Sequence, residues 1–190
     1  MNVNKTSKTI VYKLLLLFGI LLLLSAFAIV VLNFKEAKNG KISSETVLDN
    51  IASYFDEKND CNYIEFDGKR YYAEIFIPEL NICLPIMDEI NHDNLQLAPC
   101  RYSGHAESGD LIIAGHNYAS HFGPLKKIRP GAEIMIKTAS GINYVYKVDC
   151  VENLSAWQVE EMETGEWELS LFTCTLSGKD RITVRCSLSG

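Results

Sequence analysis

A run of apolar residues near the N-terminus places the strongest constraint on how this chain can fold. Leu14 to Leu32 is 19 residues long and carries no charge. This is about the length that a helix needs to cross a bilayer, where the backbone must satisfy its own hydrogen bonds. We therefore predict a transmembrane helix over residues 14–34. What remains of the 190-residue chain is enough for one domain with a real core.

The charges on either side of this run predict its orientation. Three lysines and no acidic residue precede it, whereas residues of both charges follow it. Because positive charge is retained on the cytoplasmic side, we predict a cytoplasmic N-terminus over residues 1–13 and an extracellular domain after the helix. A cleaved signal peptide is the alternative, since Ser25 to Ala28 offers small residues. Apolar residues continue to Leu32, however, and this favours an uncleaved anchor.

The rest of the chain is acidic. Residues 33–190 hold 15 of the 18 basic residues and all 24 acidic ones, a formal charge of −9. This charge argues against nucleic acid or an anionic lipid surface as a partner.

Residues 35–60 are predicted to form a polar stalk that leads into a helix. The first part is mostly polar, and Ser44 is a suitable N-cap for a helix that begins there. An apolar face that packs on a core is predicted from residues that recur at helical spacing, namely Val47, Leu48, Ile51, Tyr54 and Phe55.

Beyond residue 60 the pattern changes to short β-prone runs. Strands are predicted over residues 71–77, 82–87, 110–114, 133–138 and 143–148. Residues 151–165 are predicted to be a loop or short helix, and a hairpin over Ser170 to Arg185 follows. About seven or eight short strands with few helices indicate a mostly β domain over residues 61–190, built as a small closed barrel. The periodicity alone does not distinguish this barrel from a sandwich.

The last hairpin brings together a thiol and a cation. Its first strand ends at Thr173-Cys174, a Ser-Gly turn follows, and the second strand begins at Arg181. The two side chains would lie side by side at one edge of a sheet, which suits a nucleophile with an adjacent charge stabiliser. A lone cysteine more often only packs, so this interpretation needs a second element.

A histidine at the end of an apolar strand is that second element. His116 follows Leu111 to Gly115, where a rigid strand end would project the ring and the glycine would allow close approach. The other histidines, His92, His105 and His121, follow no such strand, and we predict that each is solvated.

Together these elements resemble the sortase family, the cysteine transpeptidases of the Gram-positive cell surface. Ser170-Leu-Phe-Thr-Cys174 resembles the family's Thr-Leu-x-Thr-Cys motif with serine at the first position, and His116 lies 58 residues before the cysteine. Arg181 matches the arginine that opens the family's next strand, while Arg185 is a rival cation farther along it. The resemblance implies a closed eight-stranded β-barrel with short helices over residues 61–190. A class B or class D type fits no worse than any other.

The resemblance also implies a reaction. Cys174 would attack an LPxTG-like sorting signal to form a thioacyl intermediate, His116 would protonate the leaving amine, and Arg181 would stabilise the oxyanion. The acyl group would pass to an amine of the cell wall or of another surface protein. Expected partners are thus surface proteins with a C-terminal sorting signal, a peptidoglycan precursor or other amine acceptor, and the membrane. The alternatives are a cysteine peptidase that releases its product to water, and a non-enzymatic extracellular binding domain.

Further expectations concern the residues around this site. Thr173, Thr175 and Asn117 are predicted to contact the substrate. No cofactor is expected, although calcium could bind an acidic group formed by Glu107, Glu160, Glu161 and Glu163. The six cysteines are irregularly spaced, which argues against a disulfide framework, and only a single bridge such as Cys150 to Cys186 stays open.

Overall fold

The computed structural model describes residues 3–56, 60–163 and 166–189. The chain divides into two compact units, residues 1–36 and 37–190. A long helix, α1 (Val3–Ile51), forms the first unit and continues into the second. This helix is long and apolar enough to cross a membrane. The large apolar side chains between Leu14 and Leu32 are exposed, 73% in the case of Leu23, as expected for a helix that contacts lipid all round.

In the second unit, the end of α1 packs against the β domain. Ile51 is fully buried, and Phe55, in a 3₁₀ turn over Ala52–Asp56, is buried with it. Both lie in an apolar cluster with Tyr71 and Met87 of the domain. The apolar face predicted from helical spacing is therefore confirmed for Val47, Ile51 and Phe55, whereas Tyr54, also predicted to lie on it, is exposed.

The predicted start of this helix at Ser44 is wrong. No proline lies between Leu32 and Ile51, and α1 runs through this segment without a break. Ser44 is buried in mid-helix, and its hydroxyl donates a hydrogen bond to the Leu97 carbonyl instead of capping a helix start. Residues predicted to form a stalk are therefore helical, and the helix continues through Asn39-Gly40, a pair that more often marks a turn.

The described residues of the domain form nine strands and a few short helices. The strands are β1 (Ile64–Phe66), β2 (Lys69–Ile77), β3 (Ile82–Met87), β4 (Cys100–Ser103), β5 (Leu111–Gly115), β6 (Glu133–Thr138), β7 (Asn143–Ser155), β8 (Leu169–Cys174) and β9 (Asp180–Leu188). The α-helices are α2 (His92–Leu97) and α3 (Val159–Met162), and 3₁₀ turns cover Pro78–Leu80 and Gly123–Lys127.

Eight of these strands close into a barrel. The strand order is β1-β2-β3-β4-β5-β8-β9-β7-β6, and β6 also pairs with β2, which joins the two ends. β1 lies outside the ring as the partner of β2 in a short hairpin. Closure leaves no open edge among β2 to β9, so the predicted closed eight-stranded barrel is confirmed and the sandwich is excluded.

The β7 strand is longer than predicted. It was expected to end near Val148, with a loop or short helix from Val151, but it pairs with β9 as far as Ser155 opposite Asp180. The helix α3 follows only after it. The ladder to β9 explains the difference, because that partner extends the strand through residues whose own pattern is weakly β.

Alternate residues of β8 face opposite sides of the barrel wall. Leu169 and Leu171 belong to the interior core, whereas Phe172 packs in a separate cluster with Ile112, Ala114 and Met162. Because side chains alternate along a strand, Ser170 and Cys174 share the outer face with Phe172. The predicted nucleophile thus lies at the end of the outer face of β8.

Candidate active site

The β8–β9 hairpin pairs the predicted nucleophile with the predicted cation. Cys174 and Arg181 lie directly opposite each other in the antiparallel register. The turn between them is held by the Thr175 amide, which donates to the Asp180 carbonyl at 2.8 Å, and by Gly178 in a left-handed conformation at φ +69°. Directly opposed residues have Cβ atoms about 4.5–5.5 Å apart, so this register brings the thiol and the guanidinium to one site.

The parallel pairing of β5 with β8 brings in the histidine. Gly115 is the register partner of Thr173, so the next residues along the two strands are His116 and Cys174. His116 is half-buried, and Cys174 is exposed. The backbone register thus places Cys174, His116 and Arg181 at one end of three neighbouring strands. Together they have the chemistry for nucleophilic attack, proton transfer and oxyanion stabilisation.

Close packing at Gly115 holds the histidine loop against β5. A Cβ at this glycine would lie 2.6 Å from the Phe122 ring, so only glycine leaves room for that ring. The Phe122 amide donates to the His116 carbonyl at 3.1 Å. The close approach predicted for Gly115 is confirmed, and it fixes the backbone that carries His116.

Arg181 keeps its guanidinium at the site through two contacts. One nitrogen, Nη1, donates to the Ala156 carbonyl at 3.0 Å, and the Cζ atom lies 5.5 Å from the centre of the Phe172 ring. The side chain is only partly buried. These contacts orient the cation and leave part of it accessible from solvent.

Arg185, the rival cation, is structural. Its side chain is 2% exposed and forms an ion pair with Glu152, at 2.7 Å between Nε and Oε1. Nη1 donates to the Ser170 hydroxyl at 2.8 Å and to the Met162 carbonyl at 3.2 Å, and Nη2 donates to the Glu161 carbonyl. Arg185 therefore ties α3 to the barrel and lies four residues along β9 from the site.

The other cysteines differ from Cys174 in their surroundings. Burial raises the pKa of Cys100 to about 12 and also raises the pKa values of Cys150 and Cys186. Partial burial, together with the Glu74 carboxylate 3.0 Å from the sulfur, raises the pKa of Cys83 to about 12. These four thiols are poor nucleophiles at neutral pH. All six cysteines are free, so Cys150 and Cys186 are not bridged.

The three residues predicted to contact substrate differ in accessibility. Thr173 is 1% exposed, and a direct contact of its side chain with substrate does not fit this burial. Thr175 is half-buried in the β8–β9 turn, where its hydroxyl lies 3.1 Å from that of Ser177. Asn117 lines a shallow groove of about 250 Å³ beside the site, together with Leu176. Contacts of Thr175 and Asn117 with substrate stay predictions.

A second depression lies on the same outer face as Cys174, at the opposite end of β8. It has a volume of about 250 Å³ and is lined by Asp110, Ile112, Trp167 and Ser170, among others. Phe172, Ala114 and Met162 form an apolar cluster on this face, but all three side chains are buried. This face therefore presents a polar depression at one end and the exposed Cys174 at the other.

The histidines are not all solvated as predicted. His92 and His105 are exposed, but His121 is fully buried. Burial, and to a lesser degree His116, lowers the pKa of His121 to about 4. Its ring lies 5.4 Å from that of Tyr118, which in turn lies 4.8 Å from that of His116. The sequence analysis did not predict the contact of His121 with Tyr118. The only signal for it was the close spacing of His116, Tyr118 and His121 in a polar loop.

No metal site is assembled among the residues that the structure describes. No three His, Cys, Asp or Glu side chains in that part of the chain are placed to share an ion. The candidate calcium ligands therefore do not form a cluster in this part of the chain; they are Glu107, Glu160, Glu161 and Glu163. A calcium requirement stays a prediction.

Comparisons with known proteins agree with this geometry. The sortase domain family model matches residues 75–189. The fold resembles a Clostridium perfringens sortase D5 transpeptidase, with a TM-score of 0.62 and 22% identity over 78% of this chain and 99% of that one. It also resembles Listeria monocytogenes sortase A, with a TM-score of 0.57 and 21% identity over 63% of this chain and 88% of that one.

A third solved structure comes from another class. Sortase C1 of Streptococcus agalactiae has a TM-score of 0.57 and 23% identity over 70% of this chain and 73% of that one. No curated protein matches the chain. The structural neighbours span several classes, so assignment to class B or class D stays a prediction.

The family match covers more than half of the chain and includes β5, β8 and β9 with all three predicted catalytic residues. The solved structures share the barrel into which these strands are built. The chain therefore belongs to the sortase family of cysteine transpeptidases.

Proposed function

We propose that Cys174 is the nucleophile of this transpeptidase and that the reaction passes through a thioacyl enzyme. The Cys174 thiolate attacks the carbonyl carbon of a scissile amide, and a carbon–sulfur bond forms. His116, as imidazolium, gives its proton to the leaving amine as the carbon–nitrogen bond breaks. The observation that carries this proposal is the strand register, which places Cys174 opposite Arg181 and beside His116.

The second half of the reaction transfers the acyl group. An incoming amine attacks the thioester carbonyl and loses a proton to His116, a new amide bond forms, and the thiolate leaves. In both halves negative charge develops on the carbonyl oxygen. Arg181, opposite Cys174 and partly exposed, is placed to stabilise it.

The proposed substrate is an extended peptide of the LPxTG type at the C-terminus of a surface protein. The family match supports this proposal, and Cys174 is exposed at the end of β8, where an extended chain can reach the thiol. Sortases act on proteins that carry sorting signals and on amine acceptors. For this chain, we propose a peptidoglycan precursor or another surface amine as the acceptor.

Analysis of the products tests this proposal. The enzyme is incubated with sorting-signal peptides, with and without candidate amines, and followed by mass spectrometry. We expect an acyl group on Cys174 without amine, and a peptide–amine conjugate when amine is added. Product in which only water has resolved the intermediate, at every amine concentration, would instead identify a peptidase. Absence of the acyl group from Cys174 would contradict the assignment of the nucleophile.

We further propose that the enzyme is a single-pass membrane protein with a cytoplasmic N-terminus and an extracellular catalytic domain. The long exposed apolar helix and the lysines that precede it support this topology. A target on the cell surface also requires the catalytic domain to lie outside.

Labelling of cysteines in intact cells tests this topology. A membrane-impermeant maleimide is expected to modify the full chain before permeabilisation, because Cys61 and Cys174 are exposed. The matched control replaces Cys61, Cys83 and Cys174 with alanine and adds Ser7→Cys, which should react only after permeabilisation. The reverse pattern would contradict the proposed orientation, and a mature N-terminus near residue 29 would show that the anchor is cleaved.

A further inference from the structure

The buried histidine outside the predicted catalytic group is the least expected feature of the site. His121 is 0% exposed, and its ring nitrogens make only weak hydrogen bonds, to the backbone of Gly40 and Leu97. A polar ring whose hydrogen bonds are poorly formed costs free energy to bury. Its position therefore needs a reason, and its neighbours supply one.

On one side, His121 contacts the N-terminal helix. A Cβ at Gly40 of α1 would lie 3.3 Å from both Cε1 and Nε2 of His121, and 2.8 Å from the Gln96 carbonyl oxygen. Only glycine allows α1 to approach this closely. The hydroxyl of Ser44, one turn farther along, donates to the Leu97 carbonyl, so small residues of α1 lie against the end of α2 and the ring of His121. Gly40 and His121 belong to the same compact unit, residues 37–190.

On the other side, His121 leads to the proposed catalytic histidine. Its ring lies 5.4 Å from that of Tyr118 at an interplanar angle of 48°, and Tyr118 lies 4.8 Å from His116 at 33°. These separations are typical of packed aromatic pairs. The His121 amide also donates to the Tyr118 carbonyl at 3.1 Å, and the Phe122 amide to the His116 carbonyl at 3.1 Å. Ring and backbone contacts thus join the three residues.

We propose that His121 and Tyr118 are positioning residues for the His116 imidazole, and that α1 at Gly40 supports them. α1 presses on His121, His121 packs on Tyr118, and Tyr118 packs on His116. The segment that supports the catalytic base therefore lies in the helix that carries the apolar run. This inference rests on the proposed role of His116 in catalysis.

The neutral state of His121 fits this role. Because burial lowers its pKa to about 4, the ring carries no charge at neutral pH. A second cation beside His116 would oppose its protonation. A buried neutral ring can support His116 without that electrostatic penalty.

Gly40→Ala in the full chain, in detergent, tests the inference. The added methyl must displace Gln96 or His121, whereas Gly19→Ala adds the same methyl to the same helix where nothing lies within 4 Å. We measure kcat and KM for transpeptidation and the ring resonances of isotope-labelled histidines. Because a displacement of about 1 Å can cost roughly 10²-fold, Gly40→Ala should lower kcat by roughly tenfold or more. We expect KM to stay within about twofold and the resonances of His121 and His116 both to move.

A second pair of variants separates packing from folding. His121→Ala removes the ring and should lower kcat in the same way, whereas His121→Phe keeps an aromatic ring and should recover part of that loss. A role in stability alone would lower the melting temperature in proportion to any loss and leave the His116 resonance unchanged. If His121→Ala does not fold, Gly40→Ala still decides the question.

The outcomes distinguish this inference from the proposed function. His116→Ala is included in the same assay. If His116→Ala stays active, the proposed role of His116 fails. If His116→Ala is inactive but Gly40→Ala matches Gly19→Ala in kcat and in the His116 resonance, only the positioning role is overturned. A His121 resonance that does not move in Gly40→Ala would likewise overturn it, because the contact itself would be absent.

Discussion

Cys174→Ala is expected to abolish acyl transfer while leaving the fold intact. No other group at the site can form the thioester, so we expect the rate to fall by roughly 10⁴-fold or more, as when a catalytic nucleophile is removed elsewhere. Folding should persist because Cys174 is exposed at the end of β8 and contributes little to the core. Steady-state rates of peptide–amine formation and the melting temperature check the two parts of this prediction.

Cys83→Ala is the matched control for this experiment. Cys83 is also an exposed strand thiol, but it lies on β3 and its pKa is raised to about 12 by partial burial and by Glu74. Its removal should leave the rate within about twofold of the native value, in the range of ordinary surface substitutions. Residual thioacyl formation in Cys174→Ala would exclude Cys174 as the nucleophile.

Arg181→Ala is expected to impair catalysis, and Arg185→Ala is expected to impair stability. Arg181→Ala should lower kcat by about 10²–10³-fold, the usual cost of losing one stabilising group for an oxyanion, with little change in stability. Arg185→Ala should destabilise the domain by about 1–3 kcal/mol, because it leaves the Ser170 hydroxyl and two backbone acceptors without their donor. The lost ion pair adds less, since its partner Glu152 is partly exposed. Urea unfolding and steady-state kinetics on both variants measure the contrast.

The two arginines have the same side chain on the same strand, so each is the control for the other. Any nonspecific effect of losing a positive charge from β9 is common to both variants. An inactive but fully stable Arg185→Ala, together with a normal Arg181→Ala, would show that the catalytic cation has been assigned to the wrong residue.

Local patterns in the sequence were sufficient for much of the fold. The long apolar helix near the N-terminus follows from an uncharged run, because composition and length alone make a helix suited to cross a membrane. β3 and β6 have the predicted bounds, since each is a short apolar or alternating run between turn residues. The pairing of Cys174 with Arg181 was predictable for the same reason, because a short turn joins the two strands and limits their register.

Contacts between residues distant in the sequence decided the rest. The β2–β6 pairing closes the barrel, and the sequence pattern of neither strand predicts which strand it pairs with. β7 continues to Ser155 only because β9 lies beside it. Alternation along a strand shows which residues share a face, but not whether the sheet closes on itself.

The sequence alone therefore determined the chemistry of the site: a thiol and a cation in one hairpin, and a histidine at the end of an apolar strand. The tertiary structure decided what surrounds those groups. In the folded domain, His121 is buried against α1 and packs on Tyr118. Arg185 binds the backbone of α3. Burial depends on which elements pack together across long stretches of chain, and the free energy of that packing is not encoded in the local pattern of any one of them.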